Sequence, residues 1–333
     1  MKRSFVTTIL IFVFLVITFC FSGCHNHIFL SNYFYDANHH WYKCECGESS
    51  EKEVHIFTND VCVCGCTKDA SLLKFDLVKN TGYVVKTGVN KERVIIPETF
   101  NGLPVTGIAS YAFEGCNELK YIELPDSITS IGYGAFIDCS ALINIDIPES
   151  VKSIVKYAFQ NCSSLKNVRL PSKLAEIESY IFYGCVSLES IQIPSGVTRI
   201  GKSSFEKCKS LTEITLPDGV TIIEDYAFYQ CDLVTRINIP NGITRLGDGV
   251  FTYCKSLESI EIPSGVTAIG NKTFLGCESL DSIIIPKNVT VMGDDVFSDC
   301  LSLTIYCEMQ ELPIDWNYNW NSANIPVVWG YNE

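Results

Sequence analysis

Histidine is missing from most of this chain: all five copies (His25, His27, His39, His40, His55) fall before residue 56 of 333. The long remainder has no imidazole for acid–base catalysis or metal ligation, and no G-x-S-x-G, P-loop or H-E-x-x-H motif occurs. The carboxylate pair Asp294-Asp295 reads as solvated charge on a turn. The composition therefore points away from an enzyme. Positive charge is also in short supply, with 25 Lys plus Arg against 38 Asp plus Glu and a formal net charge of −13. That balance argues against a nucleic-acid surface.

No run long enough for an ordinary spanning helix marks the start. Phe5 to Phe21 is apolar for 17 residues, interrupted by Thr7, Thr8 and Thr18, and a spanning helix needs ~20. With Lys2-Arg3 in front and small residues behind, the run reads as an export signal over 1–23. It ends in Phe21-Ser22-Gly23-Cys24, which resembles the lipobox of bacterial lipoproteins, although Phe21 stands where leucine is usual. The resemblance implies that Cys24 is lipidated and begins the mature chain, anchoring an exported protein to the cell membrane at the surface.

What the chain has in abundance is repetition. Phenylalanine recurs every 23 residues from Phe113 to Phe297, a cysteine follows each by three positions from Cys116 to Cys300, and proline recurs from Pro125 to Pro286. Residues 119–302 form eight such units, the first reading LKYIELPDSITSIGYGAFIDCSA. Ile122 and Leu124 alternate with Tyr121 and Glu123 as in a strand. Pro125 has no N–H for a ladder and belongs at the strand's end. Ile128, Ile131, Phe136 and Cys139 then point into the coil. No unit can bury these side chains alone, so stacking at ~4.8 Å into a solenoid with a parallel sheet is expected. Residues 72–118 read as an N-terminal cap and first coil, with five extra residues between Pro97 and Pro125, and 303–333 as a C-terminal cap containing Trp316, Trp320 and Trp329.

The unit, with its ending Trp320-Asn321-Ser322…Val327-Val328-Trp329-Gly330, is similar to the BspA-type leucine-rich repeat of surface proteins from bacteria and some parasitic protists. The resemblance implies a leucine-rich-repeat solenoid. It departs from the commoner repeat, whose Asn column is here Ser, Ser, Lys, four Gly and Asn from Ser127 to Asn288. It also implies a non-enzymatic binding protein for protein–protein interaction or adhesion, with a host matrix or cell-surface protein as partner.

The nine repeated cysteines read as a packing column, because one small apolar residue fixed in every coil is what a stack needs. The segment 24–71 differs. Cys44-Glu45-Cys46-Gly47 and Cys62-Val63-Cys64-Gly65-Cys66 offer two ligand pairs for a structural zinc through Cys44, Cys46, Cys62 and Cys64, with His40, His55 and Cys66 as further donors. Disulfides formed after export, or a flexible stalk with reduced thiols, are the competing readings. The stretch from His40-Trp41 through Cys46-Gly47 to His55 resembles Cys/His stretches of several gut-bacterial surface proteins. The alternative function is a structural or zinc-binding envelope protein that uses the solenoid as scaffold.

Outward strand positions supply the binding-surface candidates: Tyr121, Arg169 and Arg236 as anchors, with Glu123, Glu213 and Glu261 beside them. Tyr180/Tyr183 and Tyr226/Tyr229, beside the Phe column, form a second candidate set.

Overall fold

A computed structural model describes residues 73–78 and 82–332 with their side chains. Upstream it describes only the backbone of strands Phe29–Tyr35, His39–Cys44, Glu53–Val54, Phe57–Thr58 and Val61–Cys62. The chain divides into two compact units, Met1–Thr67 and Lys68–Glu333. In the first, Phe29–Tyr35 pairs antiparallel with His39–Cys44, which pairs with Glu53–Val54, and Phe57–Thr58 pairs with Val61–Cys62.

The second unit is a parallel β-solenoid of about eleven turns with no helix among the described residues. One ladder follows the I-x-I strands, from Arg93–Ile95 through Tyr121–Glu123 and Asn144–Asp146 to Arg236–Ile237. The V-x-x-I-G stretch, whose inward residues show no strand alternation, forms a second parallel ladder. Ser130–Ile131 pairs with Ser153–Ile154, and Glu176–Ile177 begins a run that ends at Val291–Met292. Only one side chain per coil points inward there, so stacking and not local alternation makes the strand. Gly132, which follows this ladder, lies so close to the preceding coil that a Cβ would sit 2.6 Å from the Ser110 nitrogen.

The third side is a run of turns bonded from coil to coil: the Phe136 amide donates to the Ala158 carbonyl (2.8 Å) and the Phe205 amide to Ala227 (2.9 Å). Each proline of the repeated column begins a turn, its carbonyl accepting from the amide three residues on, as in Val197 to Pro194 at 3.0 Å. Asn238 interrupts the first ladder. Its Oδ1 accepts from the Leu216 amide (2.9 Å) and its Nδ2 donates to the Leu216 carbonyl (2.8 Å). Beyond Arg236–Ile237 only an isolated bridge, Arg236 to Ser259, remains before Ser282–Ile285 resumes pairing.

The core is columnar. The nine Phe rings are buried and stack with centroids 5.1 to 5.9 Å apart and planes within 20° of parallel. Trp320 closes the column edge-on against Phe297 at 6.2 Å, and Trp316 donates its indole N–H to the Val289 carbonyl. The nine column cysteines are buried and free, and from Cys139 to Cys300 each thiol donates to the carbonyl of a Phe in the preceding coil (Cys139 to Phe113, 3.0 Å; Cys208 to Phe182, 3.3 Å). Their column is both a packing column and a hydrogen-bond ladder. At the N-terminal end Lys74–Val78 and Gly82–Thr87 pair antiparallel. The extra residues of the first coil make a short hairpin whose Phe100 stacks on Phe75 at 4.2 Å.

Candidate functional site

The inward columns consume the invariant residues, so contact chemistry has to come from outward ones. Along the first ladder Tyr121, Asn144, Asn167, Ser190, Glu213, Arg236 and Ser259 are all exposed. Tyr121 and Glu123 are brought together by Arg93, whose guanidinium lies 5.9 Å from the Tyr121 ring centroid and 2.5 Å from a Glu123 oxygen. Arg93 escapes a search for the period because its coil carries the insertion. Glu213 and Arg236 are register neighbours, but no ion pair joins them. Arg169 and Glu261 are exposed and lie in other coils. These residues form an extended polar face, not a convergent pocket.

The turn side holds a second surface. Tyr180 and Tyr183 (6.2 Å) and Tyr226 and Tyr229 (6.0 Å) are paired. The first pair continues a ladder of Tyr111, Tyr133 and Tyr157 with centroid steps of 5.3, 5.0 and 4.7 Å. Tyr133 is one position out of register, so the ladder is invisible as a sequence column. Near it, Arg199 is held by Glu176 and Glu224 at 2.8 Å, and Glu224 also accepts from the Lys202 amide. Burial raises the Glu224 pKa, but the Arg199 contact and the amide bond outweigh it and leave the carboxyl below its ordinary value. An open groove of about 490 Å³ beside this cluster is lined by Lys202, Ile222, Glu224 and Arg245.

Among the described residues no group of three or more His, Cys, Asp or Glu could hold a metal. The side chains of the zinc candidates lie outside the described residues. Cys44 falls opposite Phe29, Cys62 opposite Phe57, and His40 opposite Tyr35 and Glu53 in backbone register. Cys46, His55, Cys64, Cys66 and the lipidation candidate Cys24 lie outside the described residues. Among the described residues no helix is long and apolar enough to cross a membrane.

Stacked 23-residue coils with an I-x-I ladder and buried Leu, Phe and Cys columns define a leucine-rich-repeat solenoid. The chain belongs to the BspA type leucine rich repeat family, whose model matches in six copies over residues 89–209 and 175–304. A leucine-rich repeat protein from Bacteroides ovatus is 26% identical, with a TM-score of 0.56 over 78% of this chain and 70% of that one. The leucine-rich repeat protein of T. pallidum is 28% identical, with a TM-score of 0.47 over 63% and 89% of the two chains. One from Eubacterium ventriosum is 24% identical, with a TM-score of 0.45 over 77% and 76%. No curated protein matches the chain. The family's architecture is that of a repeat scaffold for protein interaction.

Proposed function

We propose that the chain is a non-enzymatic binding protein, exported and held at the cell surface through lipid on Cys24, whose solenoid engages a protein partner. The observation that carries this reading is the division of labour within each coil. Recurring residues face inward and are spent on packing, whereas the outward ladders differ from coil to coil and stay exposed over the length of the stack. Such a surface can be specific without a pocket. A host matrix or cell-surface protein is the expected partner class, and Tyr121, Glu123, Arg169, Glu213, Arg236 and Glu261 are candidate contacts.

Membrane fractionation tests the anchor: Cys24→Ala should move the chain from the membrane to the soluble fraction, and unchanged partition refutes lipidation. Pull-down with the full chain against matrix and cell-surface proteins tests the binding role. Saturable capture of a protein supports it, and absence of capture across both classes counts against it.

A further inference from the structure

The last strand of the I-x-I ladder has an open edge. Val327–Trp329 pairs with Thr304–Cys307 and, among the described residues, with nothing on its other side. The Ile305 amide donates to the Pro326 carbonyl at 2.9 Å, which fixes the alternation of this parallel pair. The Pro326 carbonyl and the Val328 backbone groups face Thr304–Cys307, whereas the N–H and C=O of Val327 and Trp329 face outward. No described residue takes those outward groups. Proline can blunt an edge, but Pro326 faces inward and leaves the outer groups free.

Beside this edge runs a loop that abandons the repeat. The Gly330 amide donates to the Met309 carbonyl at 2.9 Å, and the Trp316 and Trp329 centroids lie 6.0 Å apart, so residues 309–316 pass the end of the strand. Trp316 is buried, yet Ile314 is 96% exposed, Leu312 53% and Val328 43%. These apolar side chains are not spent on closing the core.

Charge at this end has one sign. Lys287 is the last lysine or arginine in the sequence, and seven acidic residues follow it. Glu308 accepts the Lys287 backbone amide at 2.9 Å, and the carboxylates of Glu308, Glu311 and Asp315 are exposed with no ion pair among the described residues. Acids elsewhere on the stack have cations, as Glu189 has Lys166 and Glu278 has Lys255.

Together these features select an occupant. Unpaired strand groups suit another extended backbone, the exposed Leu and Ile suit apolar side chains, and uncompensated carboxylates suit cations. A second copy of the same edge would bring two acidic loops together, which like charges oppose. A small polycation would meet the acids and leave the backbone unpaired.

We propose that the open edge at Val327–Trp329 takes up an extended basic segment of a partner protein as an added strand, with its cations on Glu308, Glu311 and Asp315. The inference rests on the reading of the chain as a protein-binding scaffold and names the surface and the chemistry of docking.

The test is binding of a labelled (Lys-Val)3 peptide to the full chain, read by fluorescence anisotropy. A (Glu-Val)3 peptide and a (Lys-Val)3 peptide N-methylated at its two central residues run in parallel. Adjacent residues face opposite strand edges, so the methylated peptide is blocked on both. The parent peptide should bind in a salt-sensitive manner, and (Glu-Val)3 should not bind. The methylated peptide should bind about tenfold more weakly, the scale of two lost hydrogen bonds. Glu311→Gln/Asp315→Asn alters exposed groups without partners, so it should leave the thermal melt unchanged and weaken (Lys-Val)3 about fivefold, the scale of two exposed ion pairs. No binding of (Lys-Val)3, equal binding by the methylated peptide or the double variant, or tighter binding of (Glu-Val)3 overturns the edge proposal. Self-association of the chain that (Lys-Val)3 displaces also overturns it, by giving the edge to a second copy. A captured protein whose binding survives both the double variant and excess (Lys-Val)3 overturns it while sparing the scaffold reading, whereas capture of no protein removes both.

Discussion

Removing one ring from the middle of the Phe column probes the stack most directly. Phe205 is fully buried, 5.6 Å from the Phe182 centroid and 5.5 Å from that of Phe228. Its backbone would be undisturbed by Phe205→Ala: the amide still donates to Ala227, and the carbonyl still accepts the Cys231 thiol at 3.2 Å. The loss therefore isolates the ring, namely its burial, two stacking contacts and the cavity left between coils that hydrogen bonds hold in place. Substitutions of this kind cost about 3–5 kcal/mol. The coils are pinned on three sides and cannot collapse freely into the gap, so the upper part of that range is expected. Urea unfolding followed by far-UV circular dichroism reads it. Tyr318→Ala, at a residue 90% exposed, serves as the control and should stay within about 0.5 kcal/mol of the parent. Because each coil depends chiefly on its neighbours, the cavity should also broaden or split the transition as the two halves uncouple. A loss below about 1 kcal/mol would refute the inward column, since no fully buried Phe in a rigid stack could be removed so cheaply.

The buried thiols give a pH prediction. Burial pushes the Cys254 pKa from 9.0 up to about 12, and the other column cysteines shift the same way. Their folded pKa is raised, so the contribution to stability is complete below about pH 9 and is lost as pH climbs from 9 toward 12. Urea midpoints should be flat near neutrality and fall steeply above pH 9, and a midpoint rising with pH in that window would contradict thiol burial. A thiol reagent should leave the ten described free cysteines unreacted in the native chain and modify all ten on unfolding; mostly bridged cysteines would be inconsistent with the packing column. Gly201→Ala places a Cβ 2.5 Å from the Ser179 nitrogen and should cost about 1–3 kcal/mol in the same urea assay, with no loss meaning the coils are less tightly apposed. Metal analysis of the full chain should find about one zinc if the two Cys-x-Cys pairs close a tetrahedral site. Cys44→Ser with Cys62→Ser should remove it, and a parent chain with far less metal sinks the zinc reading.

Burial, being periodic, was the legible property. Phe205, Cys208 and Leu211 recur every 23 residues because each copy meets the same neighbours, and proline marks the strand end because a missing N–H has the same consequence in every coil. The second ladder was hidden for a related reason. Ser130–Ile131 and Glu176–Ile177 have one inward residue each, which no alternation can reveal, and their pairing exists only once coils are stacked.

The candidate surfaces were less legible because they depend on departures from the repeat. Arg93 reaches Tyr121 and Glu123 from a coil whose insertion breaks the count. Tyr133 joins the aromatic ladder from one position out of register, because Gly134 holds the left-handed site and the adjacent residue supplies the ring. Lys202 and Lys207 contact tyrosines where the column fails at Ser203. A stack constrains its interior identically in every turn and leaves its exterior free, so regularity reports the fold and irregularity reports contact chemistry. It follows that recognition should fail first in variants at the irregular positions, whereas variants in the regular columns should lose binding only along with the fold.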